Sequence, residues 1–548
     1  MSKTTEKTTT HPSLPLAVQV GFSGSRNLLS ADSTLTPEQR ETFHQAIQQT
    51  LTRHLADLPQ TLRLQPHHFL CGIAQIAIGA DMLFTRSCAA RAIPQQIFLP
   101  QTRDEFLSAT SSSGTPDFTP EEKAGALTLL ASPHIVSVRV ASDAHNRTDR
   151  FEETNQEILQ ASDVCICLFR SDAGEKSGGA RSFLADAHLH QKPILEIQVH
   201  EKGGLPVFQE TWHPSKHWQP PTFPEELAGI ALPPQLTSPS PGVPIHSSEF
   251  LGAIKSAGSQ VAQWQQTVFK FIALIVIAAH LLATVCAVGA LAAGHESEWV
   301  PKLLGIELLF LAAGFFVHRH LHHSHTVGLW ASSRLSAEIA RSVSAMHDMP
   351  VRLDYLFSLP LPETFRSLLE TINLLHLASH KQTTLTFEDK RKNYLKKRFN
   401  DPKSGQPAYY AGKLASAVYW KKFADLTFTS ATVAAFVFTA TKLALHLWEH
   451  HHPEAFPHQL AFLPLILGSF AILLPVIAVG ALSLAASFDL EARAHTYSDT
   501  LQYLQETLPL LHGARTEGVF IHRVLQTESR LLGETANWFS RRSFTSVA

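Results

Sequence analysis

Three short glycine-bearing turns are the stretches of this sequence best equipped for chemistry. The first reads Gly21-Phe22-Ser23-Gly24-Ser25-Arg26, the second Ile78-Gly79-Ala80-Asp81, and the third holds Gly174 and the pair Gly178-Gly179. Each follows a short apolar run and precedes a stretch with helical spacing. Strand, glycine turn and helix in that order bring free backbone N–H groups and the positive end of a helix dipole to one point, which is how a main chain holds phosphate. Between the second and third turns lies Asn146-Arg147-Thr148-Asp149-Arg150-Phe151-Glu152-Glu153-Thr154-Asn155. Arg147 and Arg150 have the charge to clamp an anion, and Glu153 or Asn155 can accept a hydrogen bond from a ribose hydroxyl. The same residues also read as an ordinary helix start, with acids set favourably against the helix dipole.

The elements that must position these groups follow from the pattern around them. AVQVGF at 17–22 is a buried-strand run, and helical spacing runs from Pro37 to about Leu58. Phe69 to Ala74 and Ile93 to Leu99 are strand-like, with a helix through Arg91 between them. Val164 to Phe169, a helix over Ala180 to His190 and a strand over Ile194 to Val199 complete the series. Short apolar strands alternating with helices predict an α/β domain, Rossmann-like and doubly wound around a parallel sheet, whose ligands bind at the carboxyl ends of the strands. All three glycine turns fall at those ends.

GFSGSR, then GADMLFTR some fifty residues on, then SGGARSFLADA after a strand resembles the SLOG superfamily. These Rossmann-like domains are related to the DNA-processing protein DprA and to LOG-type nucleotide phosphoribohydrolases, and the similarity covers roughly residues 15–200. The resemblance implies that Gly21 opens the first turn and that Ser23, Gly24, Ser25 and Arg26 contact a phosphate or ribose. It further implies that Gly79, Ala80 and Asp81 line the opposite wall and that Gly178 and Gly179 close over another phosphate. In the enzymatic members the last loop reads GG-x-GT-x-x-E and supplies the acid for N-glycosidic cleavage. Here it reads Gly178-Gly179-Ala180-Arg181-Ser182-Phe183-Leu184, without the Gly-Thr and without the loop Glu. The expectation is therefore a domain that binds without catalysis, with no metal or cofactor and with a nucleotide ligand, ADP-ribose-like or cyclic, as its signal.

Mean hydropathy over the 548 residues is close to zero and the formal charge is −2, averages that conceal two apolar blocks. Residues 271–293, about 301–317, about 423–448 and about 460–486 have the length and composition of membrane spans, since ~20 apolar residues cross a ~30 Å hydrocarbon core. Loops join them into two hairpins. The third carries Asp425 and Lys442 near its ends and the fourth contains Pro464 and Pro475, tolerable where charges snorkel and neighbouring helices satisfy freed carbonyls. Lys and Arg crowd the stretch between the hairpins, whereas the loops inside them are acidic and histidine-rich, so both termini and the middle segment are expected in the cytosol. The threonine-rich residues 1–14 read as a disordered tail without the pattern of a cleavable signal, and five scattered cysteines suit a reducing compartment. A bacterial inner membrane is the expected location.

Residues 213–248 are rich in proline and serine and read as a semi-rigid linker. The remaining expected divisions are 249–345 for the first hairpin with a following helix, 346–422 for a cytosolic helical and basic segment, 423–487 for the second hairpin, and 488–548 for closing helices. Trp330, Arg334, Ala337, Glu338 and Arg341 resemble the W-x-x-x-R-x-x-A-E-x-x-R signature of SLATT-type membrane proteins, and Glu528, Glu534 and Trp538 are reminiscent of the same group. The helix salt-bridge spacing of Arg334, Glu338 and Arg341 is an equally good account. Glu307, an ionisable group at membrane depth, is a candidate for a pore or helix-pairing role. The histidines at 318–325 and 450–452 read as helix-end residues rather than metal ligands, and the basic run at 390–398 as a lipid-facing patch. No nucleic-acid module is present in the pattern. Family association implies a membrane effector of antiphage defence, a homo-oligomer that answers a nucleotide second messenger made by a separate enzyme and opens or assembles in the bilayer. The alternatives are a membrane-anchored nucleotide-processing enzyme, with Asp81 or Glu153 as the carboxylate, and a nucleotide-regulated ion channel.

Overall fold

The computed structural model describes residues 14–30, 33–110, 116–172, 174, 178–224, 227, 237–238, 240–293, 297–323, 326–380, 385–400, 405–451 and 462–544, with backbone alone at 321–323, 380 and 542–544. Two compact units divide the chain: Met1–Ile254 with His347–Thr384, and Lys255–Met346 with Leu385–Ala548.

The first unit is built on seven strands: β1 (Leu16–Gly24), β2 (His68–Ala74), β3 (Gln95–Leu99), β4 (Ile135–Val140), β5 (Val164–Arg170), β6 (Ile194–Lys202) and β7 (Leu205–His213). They lie in the order β4-β3-β2-β1-β5-β6-β7, all parallel except β7, which runs antiparallel to β6. The chain winds outward from β1 to β4 and returns to place β5 on the other side of β1, so the order reverses between those two strands. This is the doubly wound α/β architecture. The helices are α1 (Pro37–Thr61), α2 (Ala80–Ala90), α3 (Arg103–Leu107), α4 (Pro120–Leu130), α5 (Arg147–Gln160) and α6 (Ala180–Leu189). β1 is buried from Leu16 to Ser23 because helices cover both faces of the sheet. Val18, Val20 and Phe22 pack with Phe43 and Ile47 of α1 and Leu83 and Phe84 of α2, while Ile158 of α5 and Phe183 of α6 pack with Cys165 and Cys167 of β5. Thr36 starts α1 with a capping box closed by Gln39, ahead of Pro37 at the first turn.

Three readings of the sequence change here. Leu14, assigned to the tail, is buried, and residues 1–13 lie outside the described residues. Of the proposed linker, 225–226, 228–236 and 239 lie outside the described residues, but its last part is core: Val243 and Ile245 are buried. The stretch 346–422 is not one segment. Its residues 347–384 return to the first unit, where α11 (Arg366–His380), which follows the short helix α10 (Asp354–Phe357), lies against β1 and β4. The Ala17 N–H donates to Thr371 Oγ1 at 3.0 Å, and Leu368, Ile372 and Leu375 are buried. An amphipathic helix must bury its apolar stripe, and this one does so on the sheet.

The second unit is helical, with α7 (Ser247–Ala293), α8 (Trp299–His323), α9 (Thr326–Ala345), α12 (Phe387–Leu395), α13 (Gln406–His451), α14 (Leu463–Ser487), α15 (Leu490–His512) and α16 (Glu517–Phe544). The boundary between units falls inside α7, after Ile254. Helices α7, α8, α13 and α14 are long and apolar enough to cross a membrane. Pro475 lies inside α14, whereas Pro464 occupies its first turn, where a missing N–H costs nothing. Glu307 is half-buried on α8, with no cation within ion-pair distance among the described residues.

The polar helices of this unit meet through the residues singled out by pattern. Trp330 stands edge-on to Trp538, with ring centres 5.0 Å apart, and the Arg334 guanidinium lies 4.6 Å over the Trp538 ring. Arg341 pairs with Glu338, and Glu534 accepts from Tyr410 Oη at 3.0 Å. Glu528 is fully buried and pairs with Arg398, while also accepting from Ser342 Oγ and Tyr394 Oη, each at 2.8 Å. Of the basic run 390–398, Lys392, Lys396 and Lys397 are exposed, while the other three cations are engaged within the unit. Arg398 is spent on Glu528, Lys390 on Glu517 at 2.7 Å, and Arg391 on Glu388 at 2.5 Å.

Candidate functional site at the strand-order reversal

The loops leaving β1, β2 and β5 converge where the strand order reverses, the position at which open α/β sheets bind their ligands. β1 runs on through Ser23 and Gly24, so the first turn proper begins at Ser25. The Ser25 N–H donates to the Leu168 carbonyl of β5 at 2.8 Å, and the Ala80 N–H donates to the Ser25 carbonyl at 3.2 Å. The β1 loop is therefore strung between β5 and the start of α2. Gly24 and Gly79 allow that approach. A Cβ on Gly24 would stand 2.2 Å from Ala80 Cβ; one on Gly79, whose φ is +83°, would stand 2.1 Å from the Arg26 carbonyl oxygen. Gly21 lies deeper in β1, against Ser162.

Two helices begin at this crevice on glycine. α2 starts at Gly79 and α6 at Gly179, and among the described residues no side chain caps either N-terminus. Arg181 in the first turn of α6 donates to the Ser171 carbonyl at 2.8 Å and lies over the Phe169 ring. Gly178, with φ +71°, backs onto the Phe151–Glu152 main chain of α5. Asn155 ties that loop to β2: its Nδ2 donates to the Gly178 carbonyl at 2.9 Å, and its Oδ1 accepts from Gln75 Nε2 at 3.0 Å.

The arginines are brought to the site by a residue the sequence pattern did not mark. Asp117 receives Arg26 on one oxygen, at 3.4 Å, and Arg147 on the other. Arg147 also donates to the Thr110 carbonyl at 2.8 Å, and Arg26 to the Asp117 carbonyl at 2.9 Å. Arg150 is committed elsewhere, to the Ala144 carbonyl at 2.7 Å and Gln101 Oε1 at 2.6 Å. Glu153 faces a different groove, lined also by Asp143, Asp149, Glu152 and Glu157. There the Ser142 hydroxyl, at 2.5 Å, holds the Glu153 carboxyl below the usual range. At the head of α5, Asn146 caps the helix by accepting from the Asp149 N–H at 2.8 Å, and Arg147 pairs with the Asp117 carboxylate. Asp117 sits in a Pro-Asp-Phe turn whose only signal is turn propensity.

Asp81 stands apart electrostatically. It is 5% exposed in the first turn of α2, and its Oδ1 has no hydrogen-bond partner among the described residues. Burial pushes its carboxyl up to about 7, against the pull of hydrogen bonds from the Ala77 and Gly24 backbone and of the Arg26 charge. The four cysteines of the unit, Cys71, Cys88, Cys165 and Cys167, are buried thiols, raised by burial out of the range of reactive thiolates. Among the described residues, no cluster of His, Cys, Asp or Glu is gathered to hold a metal ion.

Fold and site together define a class: a doubly wound α/β unit with a glycine-lined crevice, in one chain with four helices of membrane-spanning length and composition. Comparison with protein-family models, with curated proteins and with solved structures finds no match to this chain.

Proposed function

We propose that the chain is a membrane effector in which the α/β unit binds a nucleotide-derived signal and biases the membrane helices toward an open or assembled, permeabilising state. The observation that carries this reading is the pair of glycine-started, side-chain-uncapped helix N-termini, α2 at Gly79 and α6 at Gly179, at the strand-order reversal. The first-turn N–H groups of α6, and those of α2 beyond Ala80, whose own N–H is held by the Ser25 carbonyl, suit the two ends of a diphosphate or cyclic phosphate. Arg26, Arg147 and Arg181 supply positive charge around them. The path to the membrane is α7, one helix that begins in the first unit and whose apolar part belongs to the second. A signal acts on such an equilibrium only through its different affinity for the two states, so the unliganded state is the harmless one. The assembled form is a homo-oligomer in a bacterial inner membrane with both termini cytosolic, Glu307 facing its interior, and the setting is antiphage defence.

A second reading has one observation in its favour. Asp81, with its carboxyl near 7 and an oxygen without a partner among the described residues, is poised for proton transfer, as the acid or base of a nucleotide-processing enzyme is. One experiment separates the two. The full chain in liposomes is incubated with ADP-ribose and cyclic mono- and dinucleotides, and melting temperature, ligand mass and dye flux are followed for wild type, Gly24→Asp and Arg26→Ala. A ligand that stabilises the wild type, survives unchanged, triggers flux and fails on both variants supports the effector. A ligand consumed with turnover establishes the enzyme, and the absence of any binding overturns both.

A further inference from the structure

The first unit has a second cleft, of about 420 Å³, lined by none of the glycine-loop residues. Its floor is the sheet face that carries Gln19 of β1 and Arg139 of β4, one wall is the end of α5, and the other is the 352–373 part of the returning segment. Several of its groups are incompletely matched. Gln19 is 2% exposed and its Oε1 has no partner among the described residues. The Arg139 guanidinium lies 3.7 Å over the Phe98 ring and reaches Glu157 at 2.7 Å, but its buried Nε has no partner among the described residues. Arg352 lines the same cleft, close enough that its charge, after burial, helps to lower the Arg139 pKa. Arg352 has Asp354 at 2.6 Å, a carboxylate 68% exposed and screened by solvent. Arg366 is already engaged by Glu363, Glu370 and the Gln160 carbonyl. Glu370, its carboxyl raised by burial and by the nearby Asp163, is held by Arg366 at 3.0 Å.

We propose that this cleft binds a small organic anion bearing an N–H or O–H donor, its anionic group held between Arg139 and Arg352 and its donor taken by Gln19 Oε1. Each guanidinium has more donors than its one carboxylate partner takes up, and Gln19 Oε1 is a buried acceptor without a donor among the described residues, so a single ligand answers both. The volume lies in the range of small-molecule sites, ~300–1,000 Å³. Phe357, Leu361 and Pro362 give the ligand's carbon skeleton an apolar wall, which a bare inorganic ion would leave unused. One wall belongs to a segment whose two ends, at Met346 and Leu385, both join the second unit. Occupancy therefore stiffens a segment that follows α9 in the chain and precedes α12, both of the second unit. The proposal does not depend on the nucleotide reading of the crevice.

The test uses the full chain in lipid nanodiscs with citrate, glutamate and 5′-AMP as probes, read by melting temperature and by hydrogen exchange over 352–373. Wild type is compared with Arg352→Ala, Gln19→Leu and Arg26→Ala. The expected result is protection of 352–373 by at least one probe, with affinity weakened roughly tenfold in Arg352→Ala, the loss of one charge-assisted contact, and retained in Arg26→Ala. Arg352 is partly exposed, so its variant keeps its fold even if Gln19→Leu does not. No protection with any of the three probes, or a response lost in Arg26→Ala and kept in Arg352→Ala, overturns the proposal.

Discussion

Arg26 and Arg147 are joined through one carboxylate: Asp117 receives Arg26 on Oδ1 at 3.4 Å and Arg147 on Oδ2. The two arginines come from different βα connections of the sheet, and Asp117, whose side chain is 8% exposed, holds them at the mouth of the crevice. An anion entering there competes with this carboxylate. Asp117→Asn keeps the shape and removes the charge, so binding of a nucleotide at the crevice should tighten several-fold. Stability should fall by about 1–2 kcal/mol, because a partly buried guanidinium loses its partner. Calorimetric titration and urea unfolding of the same preparation check both halves.

Gly79 has no room for a side chain. With φ at +83° and the Arg26 carbonyl 2.1 Å from a built Cβ, Gly79→Ala should cost roughly 2–4 kcal/mol. Gly252→Ala, on α7 with nothing within 4 Å of its Cβ, should instead stabilise by ~0.5–1 kcal/mol. Thermal unfolding of the two variants beside wild type gives the sign of each.

The raised Asp81 carboxyl sets a pH dependence. Its folded pKa of about 7 lies above the 3.8 of the free group, so the folded state holds the proton longer than the unfolded one. Stability from this group is complete below about 4 and declines as pH rises to about 7, by at most ~1.4 kcal/mol per pH unit. Asp81→Asn should remove that slope, leaving a variant more stable than wild type at pH 8. Glu370 titrates in the same direction, so the informative quantity is the difference between the two melting curves across pH.

Glu528 is the buried hub of the second unit, bonded to Arg398, Tyr394 and Ser342. Glu528→Ala leaves Arg398 charged and buried, at a cost of about 3–5 kcal/mol. The double variant Glu528→Gln with Arg398→Met should recover most of it, since neither charge then remains. Proteolysis and melting in detergent rank the three proteins; equal loss in single and double variants would show that the pair's charge is not what matters.

What the sequence determined by itself is the set of elements and their chemistry. Runs such as 164–169 and 271–293 carry their structure locally: a short apolar run flanked by turns makes a buried strand, and a long one makes a helix of membrane-spanning length. The glycine turns were legible for the same reason, since backbone geometry at Gly24, Gly79 and Gly178 is a local demand. β4 and β7 were not, because these edge strands are only half-buried and lack a continuous apolar run. The tertiary structure alone decided the partners. The apolar stripe of α11 carries no address, and its landing on β1 rather than among its sequence neighbours depends on which surface elsewhere remains uncovered. The same holds for Asp117 between two arginines, for Arg398 against Glu528, and for Arg139 beside Arg352. A side chain's charge is written in its residue type, but the group it meets is set by long-range packing.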